Sequence, residues 1–286
     1  MTGTPKHPDP FLEVRIERLD LSPPLLGWCA GYELQEWRAT QLSKHLLHWL
    51  PEFALKYSEW QDLGAHNAVQ LVGKAAKSIY KSKKYDKRGE FGEILLHLMI
   101  RQHFKSVPAI SKFFYKDNRN DTVKGFDAVH VVQQGNSWEL WLGEVKFYDK
   151  ISAAISDVVK ELKEHTDRDY LRDEFTAITN KLDDSWGEAA RLRTLLHSNQ
   201  SLDQIFKSVC IPVLLTYDSK TIQSFKEVSD EYKREFEKEV LRYRDTFASK
   251  ALPTNVAIRL FLFPLKKKSE LVEEMDEALK QCQATF

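Results

Sequence analysis

Two extended segments on either side of a turn signal constrain this chain more than any other stretch. Phe126 to Val132 and Trp138 to Phe147 are separated by Gln134-Gly135-Asn136-Ser137, and Gly and Asn suit the φ > 0 positions of a tight hairpin. With Gly135 and Asn136 as the two central turn residues, Asp127 falls directly opposite Glu144. Opposed residues of an antiparallel pair point to one face, as do residues two apart on a strand, so Lys146 joins them. Two carboxylates and one ammonium converge on one face of a sheet; a bulge or a longer loop shifts that register by a residue.

Strand and helix signals alternate around this hairpin. Leu12, Val14 and Ile16 alternate with Glu13, Arg15 and Glu17, which reads as a strand with one wet face. Glu33 to Leu50 carries Leu34, Trp37, Leu42, Leu46 and Leu50 at roughly helical spacing and is expected to be an amphipathic helix ended by Pro51. A further helix is expected over about Asn67 to Lys84, where Lys74, Lys77, Lys81, Lys84 and Arg88 share one face. Glu90 to Phe104 reads as a buried helix, Phe113 to Tyr115 as a short strand and Ile151 to His165 as a helix. The charged stretch to about Phe206 is mainly helical, an insertion or a layer laid on the core. Val209 to Tyr217 reads as a strand, with Pro212 arguing for an edge or an irregular start. Val228, Tyr232, Phe236, Val240, Tyr243 and Phe247 mark the buried stripe of a long solvated helix. Val256 to Phe263 is a nearly all-apolar strand, and Ser269 is placed as the cap of a C-terminal helix.

Composition narrows the classes. The 286 residues hold 42 Lys+Arg against 42 Asp+Glu and 12% aromatics. That is enough apolar material for a core, so disorder throughout is excluded, and any nucleic-acid surface must be a local patch. Cys29, Cys210 and Cys282 are widely separated, which excludes a disulfide scaffold or a thiolate zinc finger and fits a reducing compartment. The opening MTGTPKHPDP lacks a signal pattern and no run of about 20 apolar residues occurs, so neither export nor a membrane span is expected and the cytoplasm is the expected location.

Directly opposed like charges destabilise a bare sheet, so Asp127 and Glu144 require a counter-charge. A divalent cation that prefers hard oxygen ligands, Mg²⁺ or Mn²⁺, is the natural one. Lys146 beside it would stabilise a phosphate oxyanion or help orient and deprotonate an attacking water. A third acid is expected from the buried helix before the sheet, either Glu93 or its competitor Glu90 one turn earlier. A buried salt-bridge cluster on an inert sheet is the plain alternative. The stripe from Lys74 to Arg88 reads as either a solvated face or a phosphate contact. His45 and His48 read as interfacial histidines, and His97, one turn beyond Glu93, as a hydrogen-bonded core histidine.

The order Glu93, Gly125-Phe126-Asp127, Glu144-Val145-Lys146, set in helix, strand, hairpin, helix and strand, resembles the PD-(D/E)XK nuclease superfamily. The runs KYDKRGEFGEILLHL (Lys84 to Leu98), KGFDAVHV and ELWLGEVKFYD, with Trp-Cys-Ala-Gly and Leu-Pro-Glu-Phe-Ala-Leu nearer the N-terminus, resemble the HamA family, the nuclease component of the bacterial Hachiman antiphage system. The resemblance implies an α/β fold with a restriction-endonuclease-like core, a mixed sheet flanked by helices, over residues 85–286, with a helical insertion at about 166–206. An N-terminal strand and helical region over 1–84 precedes it. Asp127, Glu144, Lys146 and Glu93 map onto the catalytic set, with Asp127, Glu144 and Glu93 holding Mg²⁺, for which Mn²⁺ substitutes. The implied activity is a DNase of little sequence preference, controlled by a helicase partner of the HamB type. The rival reading is a catalytically silent nuclease-fold adaptor that docks a helicase and binds DNA without cutting.

Overall fold

The structure, a computed structural model, describes residues 7–79, 89–111, 125–134 and 137–284. From the N-terminus, β1 (Glu13–Arg18) and β2 (Leu25–Cys29) lead through a small hairpin, β3 (Tyr32–Glu33) and β4 (Glu36–Trp37), into four helices. These are α1 (Ala39–Leu47), α2 (Leu50–Ala54), α3 (Tyr57–Trp60) and α4 (Ala68–Ile79). Helix α5 (Glu90–Phe104) precedes β5 (Val107–Ile110), β6 (Ala128–Gln134) and β7 (Ser137–Phe147). Helices α6 (Ile151–His165), α7 (Arg168–Lys181), α8 (Ala189–Leu195) and α9 (Leu202–Phe206) separate β7 from β8 (Val209–Asp218). Helices α10 (Lys220–Ser224) and α11 (Asp230–Ala248), strand β9 (Ala257–Leu265) and helix α12 (Lys268–Ala284) complete the chain.

Seven strands form one mixed sheet in the order β1-β2-β9-β8-β7-β6-β5. β2, β9, β8 and β7 are parallel, and both flanks are antiparallel. Every residue of β2 is buried, as is all of β8 except Asp218. That two-sided burial is why the parallel strands read as apolar runs rather than alternations. Helices cover both faces, making the fold mixed α/β, and β1 and β2 belong to the same sheet as the hairpin strands. Among the described residues no helix is long and apolar enough to cross a membrane.

β6 and β7 pair Ala128 with Gly143 and so on to Gln134 with Ser137. This is the register that a two-residue loop at Gly135-Asn136 demands, although those two residues lie outside the described ones. Successive β7 side chains alternate between two helices. A Cβ on Gly143 would lie 2.5 Å from Leu96, and one on Gly92 would lie 2.6 Å from Val145 Cγ1 and 2.7 Å from Phe147 Cβ, so α5 covers the face of Gly143, Val145 and Phe147. Helix α6 takes the opposite face, that of Glu144 and Lys146. Gly92→Ala tests this close approach. Alanine gains about 1 kcal/mol of helix propensity, yet its methyl meets a Phe147 Cβ that cannot swing aside, so a net loss of about 1–2 kcal/mol is expected in urea unfolding. A neutral or stabilising result would show that α5 backs off the sheet freely.

Several expectations need correction. The helix expected over Glu33 to Leu50 begins only at Ala39: Tyr32 pairs with Trp37 around Leu34 and Gln35, both at positive φ (49° and 68°). The long gap between Trp37 and Leu42 marks the break, since a helix repeats its face every three or four residues. Pro51 does not end that helix but stands in the first turn of α2, where its missing N–H removes no intrahelical bond. Pro212 is not on an edge, because β8 lies between β7 and β9. Pairing to β7 passes from Trp141–Cys210 to Glu144–Val213 while pairing to β9 runs on through Pro212–Arg259, so the proline falls where one ladder lapses. Ser269 lies inside the first turn of α12, which starts at Lys268. The strand expected at Phe113 to Tyr115 lies outside the described residues, and the sheet edge is β5, whose Pro108 blurs its strand signal.

Candidate active site

The side chains gathered by the hairpin register stand where β6 and β7 part. β6 starts at Ala128, so β7 loses its neighbour beyond Gly143, and Asp127 takes over. Its N–H donates to the Gly143 carbonyl at 2.7 Å, and its Oδ2 accepts the Val145 N–H at 2.8 Å. An unsatisfied buried N–H costs about 1–3 kcal/mol, so this carboxylate is built into the strand end as well as presented by it.

Glu144 and Lys146 project from the other face of β7 into α6. Glu144 is 1% exposed, with its carboxylate bonded to Nδ1 of His165, and Lys146 is 8% exposed, with its ammonium donating to Glu161. One step on, the Tyr148 hydroxyl donates to Asp157 at 2.9 Å. Burial pushes the Glu144 carboxyl up to about 7 against the His165 contact, and the neighbouring charge of Asp127 adds to the rise. For His165 burial acts downward, but the contact with Glu144 overcomes it and leaves a net rise. Sequence reasoning missed these helix residues, although Asp157, Glu161 and His165 stand four apart and so share a helix face.

Helix α7 closes the site from outside. Tyr170 stacks on His165 with ring centroids 4.4 Å apart, and Phe126 meets the same ring edge-on at 5.3 Å. The buried Glu174 lies over the strand entry: Phe126 N–H donates to its Oε1 at 3.4 Å, and a Cβ on Gly125 would stand 2.9 Å from that oxygen. The helical stretch after α6 therefore lines the site rather than merely overlaying the core.

Glu93 approaches from the opposite side of the sheet. It is buried on α5 next to Gly92, whose backbone rests on Val145 and Phe147. Glu90 instead lines an apolar pocket with Phe53, Ile94 and Met275, between α1, α5 and α12. Asp127 is half-buried just before the start of β6. It lines a narrow pocket with about 20 Å³ of room, space for about one water, whose walls include Glu52, His97 and His130.

Behind that pocket runs a row of buried polar groups. Arg101 forks onto Glu52, with Nη2 donating to Oε2 at 2.9 Å, and Nε2 of His97 lies 3.1 Å from Oε1 of Glu52. Nδ1 of His97 lies 3.2 Å from Nε2 of His130, and Nδ1 of His130 lies 2.9 Å from the Ser106 hydroxyl. With both rings neutral one order fits the row: Ser106 donates to His130, His130 donates to His97, and the Nε2 hydrogen of His97 faces the Glu52 carboxylate at ion-pair distance without the alignment of a hydrogen bond. His97 is therefore a core histidine. His45 is another, accepting from Trp49 Nε1 at 3.2 Å.

Lys74 and Lys77 lie on α4, the first ion-paired with Glu59 at 2.6 Å and the second exposed. Lys81, Lys84 and Arg88 lie outside the described residues. Among the described residues no three His, Cys, Asp or Glu side chains form a ready metal-holding group. The donor chemistry at Asp127 and Glu144 still suits a hard cation of the Mg²⁺ kind, which keeps several waters and needs only one or two protein carboxylates. Burial is the main cause of the raised Glu144 carboxyl, and the smaller part that comes from the Asp127 charge is a repulsion such a cation would relieve.

A profile described as HamA matches residues 6–279. The chain is also similar to a protein named Anti-bacteriophage protein A from Escherichia coli (strain K12), with 22% identity over 259 residues, covering 87% of this chain and 47% of that protein. The chain thus spans about half the length of this curated relative.

Proposed function

The chain belongs to the HamA family, and from that premise we propose that it is a metal-dependent DNase with a PD-(D/E)XK core, acting in antiphage defence in the bacterial cytoplasm. The observation that carries this reading is the juxtaposition at the fork of β6 and β7: Asp127 bonded into the strand end, with Glu144 and Lys146 following on β7. The relative's name, Anti-bacteriophage protein A, supports the defence role.

Asp127 and Glu144, joined by Glu93 from the helix behind, would hold Mg²⁺ or Mn²⁺. That cation would neutralise charge on the scissile phosphate and acidify the attacking water. Lys146 presents its ammonium to a phosphate oxygen, where a largely buried charge acts more strongly than in water. The Val145 N–H, held by Asp127 Oδ2, keeps that carboxylate in place at the strand end. Lys74, Lys77, Lys81, Lys84 and Arg88 are proposed to contact the DNA backbone, which fits little sequence preference. A helicase of the HamB type is the proposed partner.

One observation favours the adaptor reading: Glu144 and Lys146 are each already bonded to an α6 side chain, as in an inert buried ion cluster. Incubation with supercoiled plasmid, linear duplex and single-stranded DNA, in Mg²⁺, Mn²⁺ and EDTA, decides between them. The expected result is cutting in either metal, none in EDTA, and a rise in Tm on adding Mn²⁺. Absence of both cutting and metal-induced stabilisation would establish the adaptor.

A further inference from the structure

Glu144 and Lys146 on the outgoing strand, and Tyr148 just past its end, meet His165, Glu161 and Asp157 on the returning helix. Each two-residue step along β7 is matched by a four-residue step back along α6. The match is metric, because two strand residues advance about 6.6 Å and four helix residues about 6 Å. Beside the polar row, Ala154, Val158 and Leu162 form the buried stripe that seats α6 on the sheet, so packing holds the row in register.

We infer that His165 and Glu161 are positioning residues of this site, His165 fixing the Glu144 carboxylate for a divalent cation and Glu161 fixing the Lys146 ammonium for a phosphate. This rests on the nuclease reading above. His165 engages one oxygen of Glu144, Oε1, and the second oxygen is the one offered to a cation. Lys146 carries three N–H groups, and Glu161 accepts from the ammonium without spending all of them. The His165 ring is itself fixed, stacked on Tyr170 at 4.4 Å and touched edge-on by Phe126 at 5.3 Å, so its Nδ1 is held toward Glu144. An ion cluster serving stability alone has no need of a ring clamped from two sides. Cation-binding carboxylates are commonly oriented by such partners, whose loss weakens metal binding about 10–100-fold.

The test uses the full chain, with Mn²⁺ affinity read from the EPR signal of free Mn²⁺ and with kcat and KM measured on plasmid. Glu144→Gln serves as the reference that tests the nuclease reading itself, and Asp157→Ala as a control at the far end of the same row. His165→Ala is expected to weaken Mn²⁺ binding about tenfold, and His165→Asn, whose amide nitrogen replaces Nδ1 as donor, to recover most of it. Glu161→Ala is expected to lower kcat about tenfold with KM and Mn²⁺ affinity unchanged, and Glu161→Gln to restore most of the loss. Melting curves confirm that each variant is folded. Equal losses in His165→Ala and His165→Asn would reduce the histidine to packing, and faster cutting by either alanine variant would make the contacts a restraint; both overturn the inference. If wild type cuts and Glu144→Gln does not, while the α6 variants match wild type, the inference fails and the nuclease reading stands. If folded wild type neither binds Mn²⁺ nor cuts, both fall.

Discussion

Lys146→Ala is expected to lower the single-turnover rate of plasmid cutting in saturating Mg²⁺ by about a hundredfold or more while leaving Mn²⁺ affinity within about threefold of wild type. The size follows from where the ammonium is. The Lys146 side chain is 10% exposed, so water screens its charge poorly, and a donor aimed at developing negative charge in such a place supplies more than it would at the surface. The loss should be catalytic rather than structural. Its partner Glu161 is 35% exposed and can turn to water when the lysine is removed, unlike a carboxylate stranded in the core. A stability change of no more than about 1 kcal/mol is therefore expected from urea unfolding. Lys146→Arg should not restore the rate, because a planar fork does not replace a point charge at the end of a flexible stem. Cutting within about tenfold of wild type by the alanine variant would place the ammonium away from the reacting phosphate.

The geometry on which that prediction rests was largely legible from residue numbers, and for a physical reason. A hairpin with a two-residue loop has one register, and the period of a strand is two, so Gly135-Asn136 sufficed to set the ladder down to Ala128 and Gly143 and to put Glu144 and Lys146 on one face; Asp127 lies just before the strand, with its N–H bonded to the Gly143 carbonyl. Helix α6 was legible to the residue, since its stripe of Ala154, Val158 and Leu162 is uninterrupted. What failed were places where tertiary surroundings overrule a local signal. Leu34 and Trp37 look helical by spacing but occupy a hairpin whose turn residues take positive φ. Pro212 looks like an edge residue but is accommodated centrally, because the β7 ladder lapses beside it. His165, Glu161, Tyr170 and Glu174 were not legible at all as site residues. Their spacing shows which helix face they share, but not that α6 runs back along β7 at a matching pitch or that α7 then folds over Gly125 and Phe126.

Glu52→Gln is expected to destabilise the fold more than Gly92→Ala or Lys146→Ala, by about 3–5 kcal/mol in urea unfolding at pH 7, because it leaves the Arg101 guanidinium buried without its counter-charge. Arg101 is 2% exposed and Glu52 9%, so neither can turn to water. The same row predicts the response of the wild-type protein to acid. Burial works against the Glu52 charge, yet the contacts with His97 and Arg101 prevail and hold its carboxyl down at about 2; burial holds His97 and His130 below the usual histidine range. All three folded-state values are depressed, so each group contributes stability that is complete above its unfolded value and lost as pH falls toward its folded one. For the histidines the loss begins near the ordinary value of 6.5, and for Glu52 it begins near 4.5 and runs toward about 2. His165 and Glu144, both raised, act with the opposite sign: the stability from His165 is lost as pH rises above 6.5, and that from Glu144 is lost as pH rises from 4.5 through about 7. Urea midpoints of the wild type should therefore fall below pH 4.5, and those of a Glu144→Gln protein, which lacks the opposing carboxyl, should fall between pH 7 and 5 as well; a midpoint constant from pH 7 to 5 in that variant would mean that His97 and His130 are not buried in the neutral form. Because Glu52 is on α2, His97 on α5 and His130 on β6 three residues after Asp127, the row also joins the N-terminal helices to the strand that carries the site. A Glu52→Gln protein that melts early but cuts DNA at wild-type rate in the cold would confine the row to stability. One that remains folded in the cold but loses Mn²⁺ affinity would show that the row holds the Asp127 end of β6 in place.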